Sequence, residues 1–459
     1  MMHDDAQSVF PGICAEGLTP AGSAAALPAD PPRLRRADRA QVLLRACALE
    51  ELIEEDHLAR VVWAVVEGWD LQAFLDTVAA RGQTPGRAAT DPKILIALWL
   101  FAYTQGIGGG RELDRLCEHH DAYRWLAGGV SLNYHTLNDF RVGHEKALDN
   151  LLTQMLAALT RGGAIEINRC GQDGTRVRAG AGRGSFKKRE TLEQHLIEAR
   201  QHVEAMKQQV EDPSISAQVR AARQRAARQR LANIQRAMEE LERVEAAKAA
   251  QKEKPSKHQP AKASETDPEA RQMRMPGGGT APGYNVQLAV AVAEGGIENA
   301  ADAAAPVRAI IGVDVTNAGS DVHQSTPMRQ QVEQRLGQKI QEHLIDGGYI
   351  GLAAIDAAAE DDVRVYAPVP KPKSEQVDPH QPKKSDSQAV AQWRVRMADE
   401  QAKSIYKHRA ATCETANAEC RTYRGLGPML VRGLNKVRCV ALWSALAYNL
   451  VHFAAALKA

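Results

Sequence analysis

The apolar pattern of this chain changes period near residue 164, and that change constrains the fold more than any other feature. Before it, apolar residues return every three or four positions through LLRACALEELI, HLARVVWAVVEGWDLQAFL and PKILIALWLFAY, as helices require. After it, AIEINRCGQDGTRVR alternates, with Ile165 and Ile167 between polar neighbours, as in a strand half-buried against a core. A chain that must bury both patterns packs helices on a sheet. With 459 residues, 44% of them hydrophobic and 25% charged, it has the composition of a globular protein rather than of an extended disordered one.

The first part reads as an all-helical domain over residues 41–161, after a tail at 1–40 rich in Ala, Pro and Asp that is expected to be disordered. The tail has no basic region followed by an apolar core, so no secretory signal is expected and the compartment is the cytoplasm. ILIALWLFAY at 94–103 is far shorter than the ~20 residues of a spanning helix and reads as a core helix, with no membrane partner. RELDRLCEHHDAYRWLAGG and YHTLNDFRVGHEKALDNLLTQMLAAL each read as one helix, separated by Gly128 and Gly129. This suits a helix-turn-helix with Asn133, His135, Thr136, Asn138 and Arg141 on the front of the second helix; an ordinary helical bundle fits the same pattern. The histidines at 119, 120, 135 and 144 read as surface or satisfied residues rather than metal ligands. The seven cysteines form no CxxC pair, so reduced thiols are expected and a zinc site is not.

From residue 162 onward the order strand, hairpin, strand, helix, strand, helix describes an α/β fold, a mixed sheet flanked by helices. Residues 187–265 interrupt it with a basic helical hairpin. Leu192, Leu196, Ala199, Val203, Met206 and Val210 form one heptad seam, Asp212, Pro213 and Ser214 break it, and Ala227, Leu231, Ile234, Met238 and Leu241 form a second. The returning arm carries RAARQRAARQR with no acidic residue, which fits a solvated face or a phosphate-backbone contact through residues such as Arg223. A linker from Lys252 to Lys262 follows. GYNVQLAVAVAE and PVRAIIGVDVTNAGSD then read as an antiparallel pair of strands joined by a polar loop, and Lys371 to Asp386 as a flexible loop.

Three carboxylates stand out. Asp173 is placed at or just beyond a strand end, Asp346 ends the short strand of EHLIDGGYI, and Glu414 lies on the helix of IYKHRAATCETANAECR. Hard divalent cations prefer oxygen, and two ions ~4 Å apart need carboxylates converging from separate elements, as in metal-assisted phosphoryl transfer. Glu419 competes with Glu414 on the same helix. Arg421 falls two turns beyond Glu414, where a guanidinium holds a phosphate or orients the glutamate, and Tyr406 and Arg409 fall just before it, placed for DNA backbone or end bases. Net charge is only +2, so a polyanionic partner is argued from local patches, among them the stretch containing Arg176 and Arg178.

The strings GQDGTRVRAGAGRGSFKKRETL, TDPEARQM, GYNVQLAV, VDVTNAGSD, DGGYIGL, YAPVPKPK and IYKHRAAT with the following Glu414 resemble bacterial insertion-sequence transposases of the DDE class, in the eleven-eighty-two-like branch. The likeness covers roughly residues 45 to 455. It implies an RNase H-like catalytic core over residues 162–459 and an acidic triad of Asp173, Asp346 and Glu414 that holds two Mg²⁺ or Mn²⁺ ions. The family's Tyr, Arg, Glu and Lys signature falls on Tyr406, Arg409, Glu414 and Arg421, with Arg where Lys is commonest. The aromatic often found after the glutamate is absent, since Ala416, Asn417 and Ala418 stand there. The resemblance further implies binding of terminal inverted repeats, cleavage of one strand at each end, attack of the freed 3′-hydroxyl on target DNA, a homodimer on paired ends and a place at the nucleoid. Two other readings stand beside it: a transposase-derived DNA-binding protein that no longer cuts, and a metal-dependent nuclease that does not join. The string at Thr266, Asp267, Pro268 and Arg271 is expected to place the hairpin next to the active site.

Overall fold

The computed structural model describes residues 46–82, 87–165, 167–208, 216–250, 260–292, 308–372, 374 and 376–458. The chain divides into Met1–Cys47, of which residues 46 and 47 are described, and Ala48–Ala459, which carries every helix and strand described. The expected tail at 1–40, the break at Asp212 to Ser214, most of the linker after Lys252 and the polar loop between the two long strands lie outside the described residues.

The helical segment runs through α1 (Leu58–Glu67), α2 (Gln72–Leu75), α3 (Pro92–Thr104), α4 (Gly110–His119), α5 (Asp121–Ala127), α6 (Tyr134–Gly143) and α7 (Glu145–Arg161). Asp91 caps α3 by accepting the Lys93 N–H, Pro92 stands at its first turn, and every residue from Leu95 to Thr104 is buried, which accounts for the apolar run there. Two helices expected to be continuous are broken. At His120 the chain leaves the helix and the imidazole Nδ1 accepts the Ala122 N–H, capping α5. At His144 the ring packs against Phe74 and Phe140 and turns the chain between α6 and α7. Apolar periodicity records neither event, because both depend on what one side chain bonds or packs against.

The sheet follows. Its elements are β1 (Arg169–Arg178), β2 (Phe186–Lys187), the hairpin helices α8 (Arg189–Gln208) and α9 (Ala217–Ala250), β3 (Ala263–Ser264), β4 (Arg271–Arg274), β5 (Thr280–Val292), β6 (Arg308–Thr316), α10 (Ser325–Leu336), β7 (Glu342–Leu344), α11 (Leu352–Glu360) and β8 (Arg364–Tyr366). Then come α12 (Gln388–Arg396), α13 (Glu400–Arg409), a π-helical turn (Ala410–Glu414), α14 (Thr415–Tyr423) and α15 (Leu434–Lys458). β1 is central, antiparallel to β5 on one side and parallel to β7 on the other, giving the order β6-β5-β1-β7-β8, with β4 pairing the first residues of β5. The strand of Asp173 does not end there. β5 supplies partners as far as Gly283, opposite Arg178, so Asp173 sits mid-strand. The stretch from Gln388 to Tyr423 is three helices and a π turn, with Asp399 capping α13.

α15 is apolar and long enough to cross a membrane by length and hydropathy, but 67% of its most apolar window is buried, against β6, α7 and α3. Asn449 fixes it to β6 by bonding both the N–H and the carbonyl of Ile310, each at 2.8 Å. One continuous core therefore spans the helical segment, the sheet and α15. Arg335 of α10 and Arg438 of α15 both pair with Asp149 of α7 across it.

The hairpin stands apart, with a small cluster of its own made by Leu192, Ala237, Leu241 and Ala263. Its root is polar. Buried Glu240 lies between Arg243 and Arg271. Asp267, wholly buried, accepts hydrogen bonds from the Tyr284 hydroxyl (2.6 Å) and the Gly433 N–H (3.1 Å), and Glu269 accepts from the Leu434 N–H (3.0 Å). The string around Asp267 thus ties the root of the hairpin to β5 and caps the N-terminus of α15, where a carboxylate also complements the helix dipole.

Candidate active site

β1 and β7 are parallel neighbours, and Asp346 lies two residues past β7, its Oδ1 accepting the Gly348 N–H at 2.7 Å. Arg409, at the last turn of α13, reaches both acids: Nη1 is 3.8 Å from Asp173 Oδ1 and Nη2 is 3.6 Å from Asp346 Oδ2. One guanidinium therefore stands between two carboxylates from separate strands. Asn417 of α14 donates to Asp173 Oδ2 at 3.0 Å. Burial pushes the Asp173 carboxyl upward and the Asp346 charge adds to it, while Arg409 and Asn417 pull it back; the net direction is up. For Arg409, burial opposes the charge, but the hydrogen bond to Tyr406 and the pull of Asp173 outweigh it and raise its pKa.

The π turn sits between Arg409 and α14. Such a turn carries one residue more than an α turn, so it rotates Glu414 relative to Arg409 while Cys413 and Asn417 still close on β1. That closure depends on Gly171, because a Cβ there would lie 2.5 Å from Cys413 Sγ. Glu414 itself is exposed. Glu419 has both oxygens committed, one to Arg424 at 2.7 Å and the other to His452 at 2.8 Å.

The other face of β1 holds an acid that motif reading missed. Asp321, in the loop after β6, accepts from Asn285 Nδ2 at 2.6 Å and Gln287 Nε2 at 2.8 Å, and pairs with Arg176 at 3.5 Å. Gln287 accepts in turn from the Tyr349 hydroxyl and from Gln172 Nε2. A signal existed: Asn285 and Gln287 alternate with Tyr284, Val286 and Leu288 on a strand whose polar face is as buried as its apolar one.

The remaining candidates are dispersed. Arg178 is exposed at the end of β1, Arg421 is exposed on α14, and Arg223 is exposed on α9. His135 is exposed and tilted against Tyr134. Arg141, read as a DNA contact, is instead 4% exposed and lies over the Trp99 ring, so it supports the helical core and presents no charge to a ligand. Cys117, Cys170, Cys413, Cys420 and Cys439 form no disulfide, and burial pushes the Cys170 and Cys420 thiols up to about 12.

Among the described residues no three His, Cys, Asp or Glu side chains are gathered closely enough to hold a metal ion. The donors that do converge are all carboxylate oxygens, which suit a hard divalent cation, and Arg409 shows that the space between Asp173 and Asp346 takes positive charge. The geometry thus defines a mixed α/β protein whose adjacent parallel strands present two acids beneath one arginine. Residues 372–454 match a family model described as a transposase DDE domain, and residues 47–142 match one described as a transposase domain (DUF772). No curated protein and no solved structure matches. The first match includes Arg409, Glu414 and Asn417, whereas Asp173, Asp321 and Asp346 lie outside both. A DDE domain implies a transposase, an enzyme that acts on DNA with divalent metal.

Proposed function

We propose that this protein is the DNA transposase of an insertion sequence, in the eleven-eighty-two-like branch, which binds element ends, cuts one strand at each and joins the freed 3′-hydroxyl to target DNA. The observation that carries this is the Asp173–Arg409–Asp346 arrangement, on a chain with two transposase matches. Three antiparallel strands continued by two parallel ones, in the order β6-β5-β1-β7-β8, support an RNase H-like core over residues 162–459, with the hairpin of 187–265 as an insertion and the helical segment of 41–161 as an end-binding part.

Asp173, Asp346 and Glu414 are the residues that would hold two Mg²⁺ or Mn²⁺ ions, whose chemistry is to activate the attacking oxygen and neutralise the leaving one. Arg409 keeps Asp173 and Asp346 facing one another by compensating their mutual repulsion, and Asn417 fixes the Asp173 carboxylate plane. Arg176, Arg178, Tyr406, Arg421, His135 and Arg223 are the candidate DNA contacts, with Arg178, Arg421, His135 and Arg223 exposed for that purpose. A homodimer on paired ends, in the cytoplasm at the nucleoid, completes the proposal.

The test is cleavage of a plasmid carrying the gene's own flanking DNA, with Mg²⁺ or Ca²⁺, by the full chain and by Asp173→Asn. Mg²⁺-dependent nicks at the element ends that vanish in the variant support the proposal. End binding without cutting favours a DNA-binding derivative, and cutting without joined products favours a nuclease.

A further inference from the structure

We infer that Asp321 is a positioning residue of this site, the anchor that sets the turn bearing Asp346; the inference rests on the proposed cleavage activity. The sheet is built to receive this carboxylate. Asn285 and Gln287, two residues apart on the same face of β5, are 0% and 1% exposed, and both donate to Asp321 Oδ1. Directly across on β1 stands Gly174, where a Cβ would lie 2.5 Å from Gln287 Nε2, 2.6 Å from Asp321 Oδ1 and 2.8 Å from Asn285 Oδ1. A side chain at position 174 would displace the acid and both amides. Arg176, the next residue on that face of β1, closes the cradle through its contacts with Asp321 and the Gly319 carbonyl.

The cradle reaches Asp346 by two routes. The first runs through bonds: Asp321 fixes Gln287 with its amide nitrogen toward the acid, which turns Gln287 Oε1 to accept from the Tyr349 hydroxyl. Tyr349 is wholly buried and closes the short turn Gly347–Tyr349 that Asp346 caps, so its placement fixes that turn. Burial and the charges of Asp321, Asp173 and Asp346 push the Tyr349 phenol upward, which keeps it a donor. The second route is through space: a Cβ on Gly348 would lie 3.0 Å from Asp346 Oδ1 and 3.8 Å from Asp321 Oδ2, so the two carboxylates flank one glycine. Losing Asp321 removes the acceptor of the Gln287 amide nitrogen and leaves its orientation to the Gln172 bond, which loosens the Tyr349 hydroxyl and the turn that Asp346 caps. Displacement of a reacting group by about 1 Å is enough to cost roughly a hundredfold in rate.

The full-length chain, Asp321→Ala, Asp321→Asn, Tyr349→Phe and Asp346→Ala are compared in two assays. In end cleavage, Asp321→Ala is expected to lower the rate at saturating DNA by about tenfold to a hundredfold, with DNA affinity within about twofold. Tyr349→Phe is expected to follow it, and Asp321→Asn, which keeps an acceptor for both amides, to recover part of the rate. In thermal unfolding titrated with Mn²⁺, Asp321→Ala is expected to need about fivefold or more of the Mn²⁺ that stabilises the wild type, with Asp346→Ala as the unresponsive control. Wild-type rate and Mn²⁺ midpoint in Asp321→Ala overturn the inference, as does a loss carried wholly by DNA affinity. If Asp321→Ala does not fold, the Asp321→Asn and Tyr349→Phe pair decides: both at wild-type values overturns it. A wild type that cuts nothing overturns the proposed function instead, and the Mn²⁺ midpoints then decide the inference alone, a wild type without any Mn²⁺ response counting against it.

Discussion

The sheet around β1 and the α8–α9 hairpin dispose of their polar groups in opposite ways. Around β1 and β5, Asp173, Asp321, Asn285, Gln287 and Tyr349 are buried or half-buried and each is held by at least one named partner. On α9, Arg223, Arg225, Arg228 and Arg230 are exposed, and the apolar cluster beneath the hairpin comprises four residues. Reacting groups must be held to a fraction of an ångström, which takes burial and several bonds per side chain. A surface that tracks a phosphate backbone needs only mobile charge near it, and extra ordering would cost entropy. The same chain therefore separates what has to be rigid from what has to be adaptable.

The largest expected effect strikes the rigid region. Asp346→Asn should reduce end cleavage by at least about a thousandfold while end affinity holds or rises slightly, as followed by nicking and gel-shift assays. Loss of binding as well would place Asp346 in the DNA surface and blur the contrast. Next, Arg409→Ala should destabilise the body by about 1–3 kcal/mol in denaturant unfolding, less than a fully buried pair because the Asp346 side chain is 35% exposed, and Arg409→Lys should not restore it. In the hairpin, Leu241→Ala should cost roughly 2–3 kcal/mol of local stability. Hydrogen exchange is then expected to quicken in α8 and α9 and to leave β1 and β5 protected; uniform quickening would mean that the hairpin is continuous with the main core after all. Arg223→Ala with Arg225→Ala should lower affinity several-fold and flatten the salt dependence of binding by about one unit per residue, leaving the rate at saturation unchanged.

A further expected effect is on pH. Burial lowers the His343 pKa to about 3, so the folded protein leaves this imidazole neutral while the unfolded chain protonates it below about 6.5. Stability contributed at this site is therefore full above pH 6.5 and declines as pH falls toward 3, by up to ~1.4 kcal/mol per unit. His343→Gln should remove that part of the acid slope in thermal unfolding between pH 6.5 and 4.5, and an unchanged slope would show that His343 is reached by water.

Much of the framework was legible. The alternation in GYNVQLAVAVAE and VRAIIGVDVT announced β5 and β6, and the two heptad seams announced α8 and α9, because periodicity is a local record of which face is buried. The breaks at His120 and His144 were not legible, since each depends on one imidazole finding a backbone donor or two phenyl rings. Asp173 and Asp346 were visible as acids beside glycine, although the first was expected at a strand end and lies mid-strand. Arg141 carried the pattern of a DNA-facing residue and is instead stacked in the core, because helix phase alone does not say which neighbour covers a face.

By itself the sequence determined the order of elements, the helical-to-strand transition and the candidate acids, each of which is written in a short local stretch. Tertiary structure alone decided that Arg409 stands between Asp173 and Asp346, that Asn417 rather than an aromatic touches the first acid, that Asp267 caps α15 and that Asp321 joins the site. Those pairings join positions from 34 to 244 residues apart. No local period encodes them: a buried polar group takes whichever partner the packed chain brings within about 3 Å, and that choice exists only once the core has closed.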